Sequence, residues 1–113
     1  MNCVFCADVT LAGELLSEDD ETWVIRHPQG QWMIVAKRHV ENASDLDEDE
    51  WLHVARAWYR AERKLREETN AERVMVMKLG IQTPHLHVHL FPFGADATRE
   101  DVFAAFEGRS PAP

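Results

Sequence analysis

The chain contains no apolar run near the 18 residues that begin to suggest a membrane helix, so no span is expected. Its N-terminus has no basic stretch followed by an apolar one, which argues against a secretory signal and makes the cytoplasm the expected compartment. Positive charge is scarce. Twelve Lys and Arg stand against 20 Asp and Glu, for a formal net charge of −8. Much of the excess lies in Glu18-Asp19-Asp20-Glu21 and from Asp45 to Glu50. A long nucleic acid requires a basic footprint, so that class of partner is excluded. A small anionic ligand is not excluded, because a local group of donors can hold one phosphate. Repeats, low-complexity segments and linkers are also lacking, and 113 residues suffice for a single domain, 1–113, with one modest core.

Cysteine is nearly absent as well, and the two that occur are spaced C-x-x-C at Cys3 and Cys6. In a reducing compartment a disulfide between them is disfavoured. Redox pairs of this spacing usually follow a strand in a βαβ setting, and here no strand precedes them, so metal binding is the better reading. Two thiolates make only half of a tetrahedral zinc site. The other two ligands must come from elsewhere in the chain.

Histidine is what the chain has in concentrated form. Three of its six histidines fall in His85-Leu86-His87-Val88-His89-Leu90-Phe91. On a strand, alternate side chains share a face, which sets the three imidazoles in a row with neighbours roughly 7 Å apart. Leu86, Val88 and Leu90 then point into a core. Such a row can share one substrate, or place all three rings around one metal. A half-exposed strand face needs only polar residues, so three histidines in a row point to chemistry rather than to solubility.

The remaining pattern is that of an α+β chain. Residues 1–8 read as a turn or short helix, and Leu11–Leu16 as a short strand. Thr22–Arg26 and Trp32–Lys37 are β-branched and aromatic around the turn His27-Pro28-Gln29-Gly30, and so predict a hairpin. After a loop over Arg38–Leu46, Asp47 and Glu50 form a capping box for a long helix. Its apolar face carries Trp51, Val54, Ala55, Trp58, Ala61 and Leu65, with pairs such as Glu62 and Arg66 on the solvated face. Arg73–Leu79 is the next strand, Gly80–Pro84 a turn, and 85–91 the histidine strand. Thr98 and Asp101 open a short C-terminal helix with Val102, Phe103 and Phe106 inward, ended by Gly108. Arg109–Pro113 is expected to be a frayed tail. Consecutive strands joined by turns, with one long helix between them, imply an antiparallel sheet of about five strands.

His85 to Phe91 resembles the H-φ-H-φ-H-φ-φ signature (φ apolar) of the histidine triad, or HIT, family. Cys3-Val4-Phe5-Cys6 is similar to the C-x-F-C of many bacterial members, and Ala36-Lys37-Arg38-His39 to the strand ending in P-K-x-H. The long helix and the glycine-glutamine turn fall in the family's order. The resemblance implies a nucleotidyl hydrolase or transferase acting at an α-phosphate, on dinucleoside polyphosphates, nucleoside phosphoramidates or adenylates. It implies that His87 attacks phosphorus to form a covalent nucleotidyl-histidine, and that His89 donates to a phosphate oxygen or the leaving group. Gln82 and Thr83 are implied as further donors, so the nucleotide-binding set is Gln82, Thr83, His87 and His89. It also implies a structural zinc ion held by Cys3, Cys6, His39 and His85, and a homodimer with a shared sheet. The third histidine separates the chain from the uridylyltransferase branch, which has glutamine there. Two stretches differ from the family. Arg26–Gln31 is short and carries no acid or asparagine, and Met77-Lys78-Leu79 stands where an asparagine loop is usual. A catalytically weak domain of the same fold, binding a nucleotide or a protein, is the alternative.

Overall fold

Alternation along the strands sorts the side chains into two buried layers. In a computed structural model, which describes residues 3–108, five strands form one antiparallel sheet in the order β1-β2-β3-β5-β4. They are β1 (Glu14–Glu18), β2 (Thr22–Arg26), β3 (Trp32–Ala36), β4 (Arg73–Met77) and β5 (His87–Phe93). The predicted β2–β3 hairpin forms in register, with Thr22 opposite Ala36 and Arg26 opposite Trp32. The expected first strand is displaced: Val9–Leu11 is a turn of 3-10 helix, and β1 starts at Glu14.

Helix α2 (Glu48–Thr69) covers one face of the sheet. It begins where the capping box predicts. Glu50 N–H donates to the Asp47 side chain at 2.8 Å, and Asp47 N–H to the Glu50 side chain at 3.0 Å. Its buried residues are Val54, Ala57, Ala61 and Leu65, which meet Val24, Trp32, Ile34, Leu86 and Leu90. Ala57 thus takes the inward place expected of Ala55. Trp51 and Trp58 are half-buried against this same core. The outer face departs from simple ion pairing: Glu62 accepts from Trp58 Nε1, and Arg66 donates to the Ala71 carbonyl.

The opposite face carries Ile25, Met33 and Val35, with His87 and His89 set across from Val35 and Met33. The short helix α1 (Val4–Asp8) lies on it through Phe5, and α3 (Arg99–Phe106) borders it through Phe106, whose ring is 5.0 Å from that of Phe91. Thr98 and Asp101 cap α3 as expected. Gly108 follows it with a φ of 72°, which a glycine adopts without strain. The predicted tail at 109–113 lies outside the described residues.

β5 differs from the expected 85–91 at both ends. His85 and Leu86 precede it. Their backbone is tied to loops instead, His85 N–H to the Thr83 carbonyl and Leu86 N–H to the Val40 carbonyl. At the far end β5 continues through Pro92 to Phe93, where it has run past β3 and pairs with β4 alone. A proline without an N–H is tolerated where only one ladder remains.

Candidate active site and metal cluster

Four elements converge beside the start of β5. Cys3 precedes α1, Cys6 lies within it, His39 follows β3, and His85 precedes β5. Cys3 Sγ is 3.3 Å from His85 Nδ1, Cys6 Sγ is 3.2 Å from His39 Nδ1 and 3.5 Å from His85 Nδ1, and the two Nδ1 atoms are 3.1 Å apart. All four donor atoms lie within 4.8 Å of one another. Zinc bonds of about 2.0–2.3 Å in tetrahedral array place ligand atoms roughly 3.3–3.8 Å apart, so the set has the dimensions of a closed Cys2His2 site.

The protonation of His85 agrees with that fit. Its Nε2 is 2.5 Å from the Ala36 carbonyl, which can only accept, so the ring proton is on Nε2 and Nδ1 presents a lone pair to the cluster. Burial holds its pKa below the ordinary histidine range, with the bond to Ala36 opposing and His39 and His87 adding. Both ring nitrogens are therefore engaged away from His87 and His89. One metal shared by all three triad histidines does not fit this ring.

Next to the cluster a cavity of about 590 Å³ opens over the histidine face. It brings together His87, His89, Gln82 and Thr83, the four residues expected at the nucleotide. The His87 ring lies beneath Phe5 at 4.9 Å and against His89 at 5.0 Å. Its Nδ1 is 2.6 Å from the His85 carbonyl and so carries the proton, which leaves the lone pair on Nε2. Burial lowers the His87 pKa against the raising effect of that bond, and Lys78 lowers it further. His89 is pushed down to about 4 by burial, then by His87 and His27. Its Nδ1 is buried without a partner among the described residues. Such an atom is costly unless a ligand or water meets it.

The lining residues that were not foreseen include His27 and Gln31 at the β2–β3 turn, Phe5, and Phe106 of α3. Alternation carried one step past Ile25 points His27 to the histidine face, and that signal was available in the sequence. The position of α3 was not, because nothing local fixes where a short terminal helix docks.

The family model described as HIT domain matches residues 12–95. No curated protein matches the chain. Among solved structures, the chain is similar to a member of the HIT family of proteins from Bacillus subtilis, at 18% identity, 100% of each chain and a TM-score of 0.73. It is similar also to a hypothetical histidine triad nucleotide-binding protein from Sulfolobus tokodaii, at 23% identity over 98% of this chain and 78% of that one, with a TM-score of 0.72. A HIT family hydrolase from Clostridium thermocellum aligns at 20% identity over 87% of this chain and 96% of that one, with a TM-score of 0.63. At these identities the likeness is one of fold.

Proposed function

Because the chain belongs to the HIT domain family, we propose that it is a nucleotidyl hydrolase or transferase that works through His87. The observation that carries this reading is the bond from His87 Nδ1–H to the His85 carbonyl, which leaves Nε2 as an unprotonated nucleophile in a residue lining the cavity. Nε2 attacks the α-phosphorus, the new N–P bond forms, and the bond from phosphorus to the leaving group breaks. The leaving group takes its proton from water, and the His89 and Thr83 side chains lining the cavity are the hydrogen-bond donors to its developing charge. Water or another acceptor then attacks phosphorus, the N–P bond breaks, and a nucleoside monophosphate or its ester leaves. Donors aimed at the phosphoryl oxygens are worth most in this partly dry site, and Lys78 adds positive charge close to His87.

In this reading Cys3, Cys6, His39 and His85 would hold a zinc ion. A closed four-ligand zinc supplies structure and no open coordination position. Its effect on the reaction is to fix His85, whose carbonyl sets the His87 tautomer. A reducing compartment such as the cytoplasm keeps the two thiols available.

Incubation of the purified protein with adenosine phosphoramidate tests the reading. Steady release of adenosine monophosphate is expected, and its absence at enzyme concentrations comparable to substrate rejects the hydrolase. The second reading, a domain that binds a nucleotide without turnover, is favoured by one feature: the turn 26–31 carries no acid or asparagine. The same assay separates them, since binding without release is its signature.

The homodimer belongs to the same proposal. β4 is an edge strand, and its residues Val74, Met75, Val76 and Met77 are only half-buried. Leu52 and Tyr59 are exposed on α2. Light scattering is expected to give twice the 13.0 kDa chain mass. A mass of one chain at high concentration rules against association.

A further inference from the structure

The face of the sheet away from the triad carries a second cavity, of about 350 Å³, between the β1 edge and α2. The chemistry proposed above does not use it. Its floor is apolar: Val24 and Trp32 of the sheet and Ala57 and Ala61 of α2, all buried. The two alanines stand one turn apart, so this side of the helix fills little of the space beside it.

β1 widens the gap. Leu15 lies opposite Ile25 and Ser17 opposite Val24, so Leu16 is the extra residue of a bulge. Strict alternation would set Leu16 against Val24 and turn Ser17 to the other face. The bulge instead brings Ser17 into the row of Val24, and both Leu16 and Ser17 border the cavity.

The charges at the mouth are unevenly matched. Glu18 accepts from Lys37 at 2.6 Å, and Glu68 from Arg26 at 3.3 Å. Asp19 is turned into its own loop, where it accepts from the N–H groups of Glu21 and Thr22. Arg60 and Lys64 border the same cavity and have no ion-pair partner among the described residues. They stand four residues apart on one side of α2, where like charges repel. The chain has 20 acidic residues against 12 basic ones, yet none neutralises this pair. Two exposed cations above an apolar floor are complementary to an anion that carries its own apolar part.

We propose that this cavity binds a small carboxylate with a short apolar tail, the carboxylate at Arg60 and Lys64 and the tail on Val24, Trp32 and the two alanines. A carboxylate matches the arginine fork with two parallel bonds. The Ser17 hydroxyl is a further donor at the mouth. At about 30 Å³ per water-sized volume, the space takes roughly ten heavy atoms, too few for a nucleotide and enough for a chain of about six carbons. β1 is the opposite edge of the sheet from β4, so a dimer formed through β4 leaves the cavity open. The inference is independent of the nucleotide reading, and either can fail without the other.

Amide NMR titration of the full chain tests it, with hexanoate, hexanamide and acetate as probes. Hexanoate is expected to give saturable shifts over residues 16–22 and 57–64. Hexanamide keeps the tail and loses the charge, and acetate keeps the charge and loses the tail. Each is expected to bind at least about tenfold more weakly than hexanoate. Arg60→Gln combined with Lys64→Gln, both exposed positions that the fold does not depend on, is expected to weaken hexanoate by a similar factor. Ser17→Leu, also at an exposed position, fills the mouth with the side chain that the bulge keeps out, and is expected to do the same. The absence of saturable shifts with hexanoate overturns the proposal, as do shifts centred on the histidine cavity, equal binding of hexanamide or acetate, or unchanged affinity in either variant.

Discussion

His87→Asn is expected to abolish nucleotide turnover, by several orders of magnitude in kcat, while adenosine monophosphate still binds. Asparagine is chosen because its amide N–H lies where Nδ1–H does. It can keep the bond to the His85 carbonyl while removing Nε2, the nitrogen proposed to attack phosphorus. The other triad histidines are poor candidates for that role on geometric grounds. His85 presents Nδ1 to the cysteine cluster and Nε2–H to the Ala36 carbonyl, so its one lone pair is turned to the cluster and not to a substrate. His89 stacks on Phe91 at 5.9 Å and lies beside His87, which suits a donor to the phosphate or leaving group. His89→Asn should slow the reaction by a smaller factor, about 10²–10³ for one lost transition-state donor. Mass spectrometry of acid-labile nucleotidylated peptides should place the adduct on His87. Undiminished hydrolysis by His87→Asn, or an adduct on another histidine, would refute the assignment.

Much of this arrangement is legible because it is written in local spacing. Alternation from His85 to Leu90 is enough to separate the imidazoles from the leucines, and Asp47 with Glu50 is enough to start α2 in the right place. What local spacing does not carry is the competition between partners. His85 reads as a strand residue, yet its backbone is taken by the Thr83 loop and its ring by Ala36 and the cluster, so the ladder begins at His87. Ala57 displaces Ala55 from the core because the side of α2 that faces the sheet is set by where Val24, Trp32 and Leu90 lie, not by the helix alone. The joining of Cys3 to His85, 82 residues apart, rests on the family resemblance and not on spacing. His27 was within reach of alternation, but a turn residue beside Pro28 and Gly30 reads first as a turn. The bond from the Gln29 N–H to its ring exists only in the folded hairpin.

The second large effect expected is on the metal. Purified wild-type protein should carry about one zinc per chain, and Cys6→Ser should lose it together with roughly 10–20 °C of melting temperature. The size follows from what the cluster joins. Helix α1 has five residues and no side-chain cap, far too short to persist by itself. What holds it is Phe5, buried against His85 and His87, and the four donors around one centre. Without a cation, two thiols and two imidazole nitrogens are crowded at 3.1–3.5 Å with few protons to share among them. The expected result of removing one thiolate is therefore release of the N-terminal segment, with Val4 and Phe5 lost from the cavity wall and the His85 ring freed to turn. Turnover should fall as the cavity opens, yet less than in His87→Asn, because a closed four-ligand zinc leaves no position for substrate. Metal analysis and thermal unfolding check this together. A metal-free wild type with full stability, or a Cys6→Ser protein that keeps both its zinc and its melting temperature, would remove the cluster from the account and leave the His85–Ala36 bond as what orients the triad.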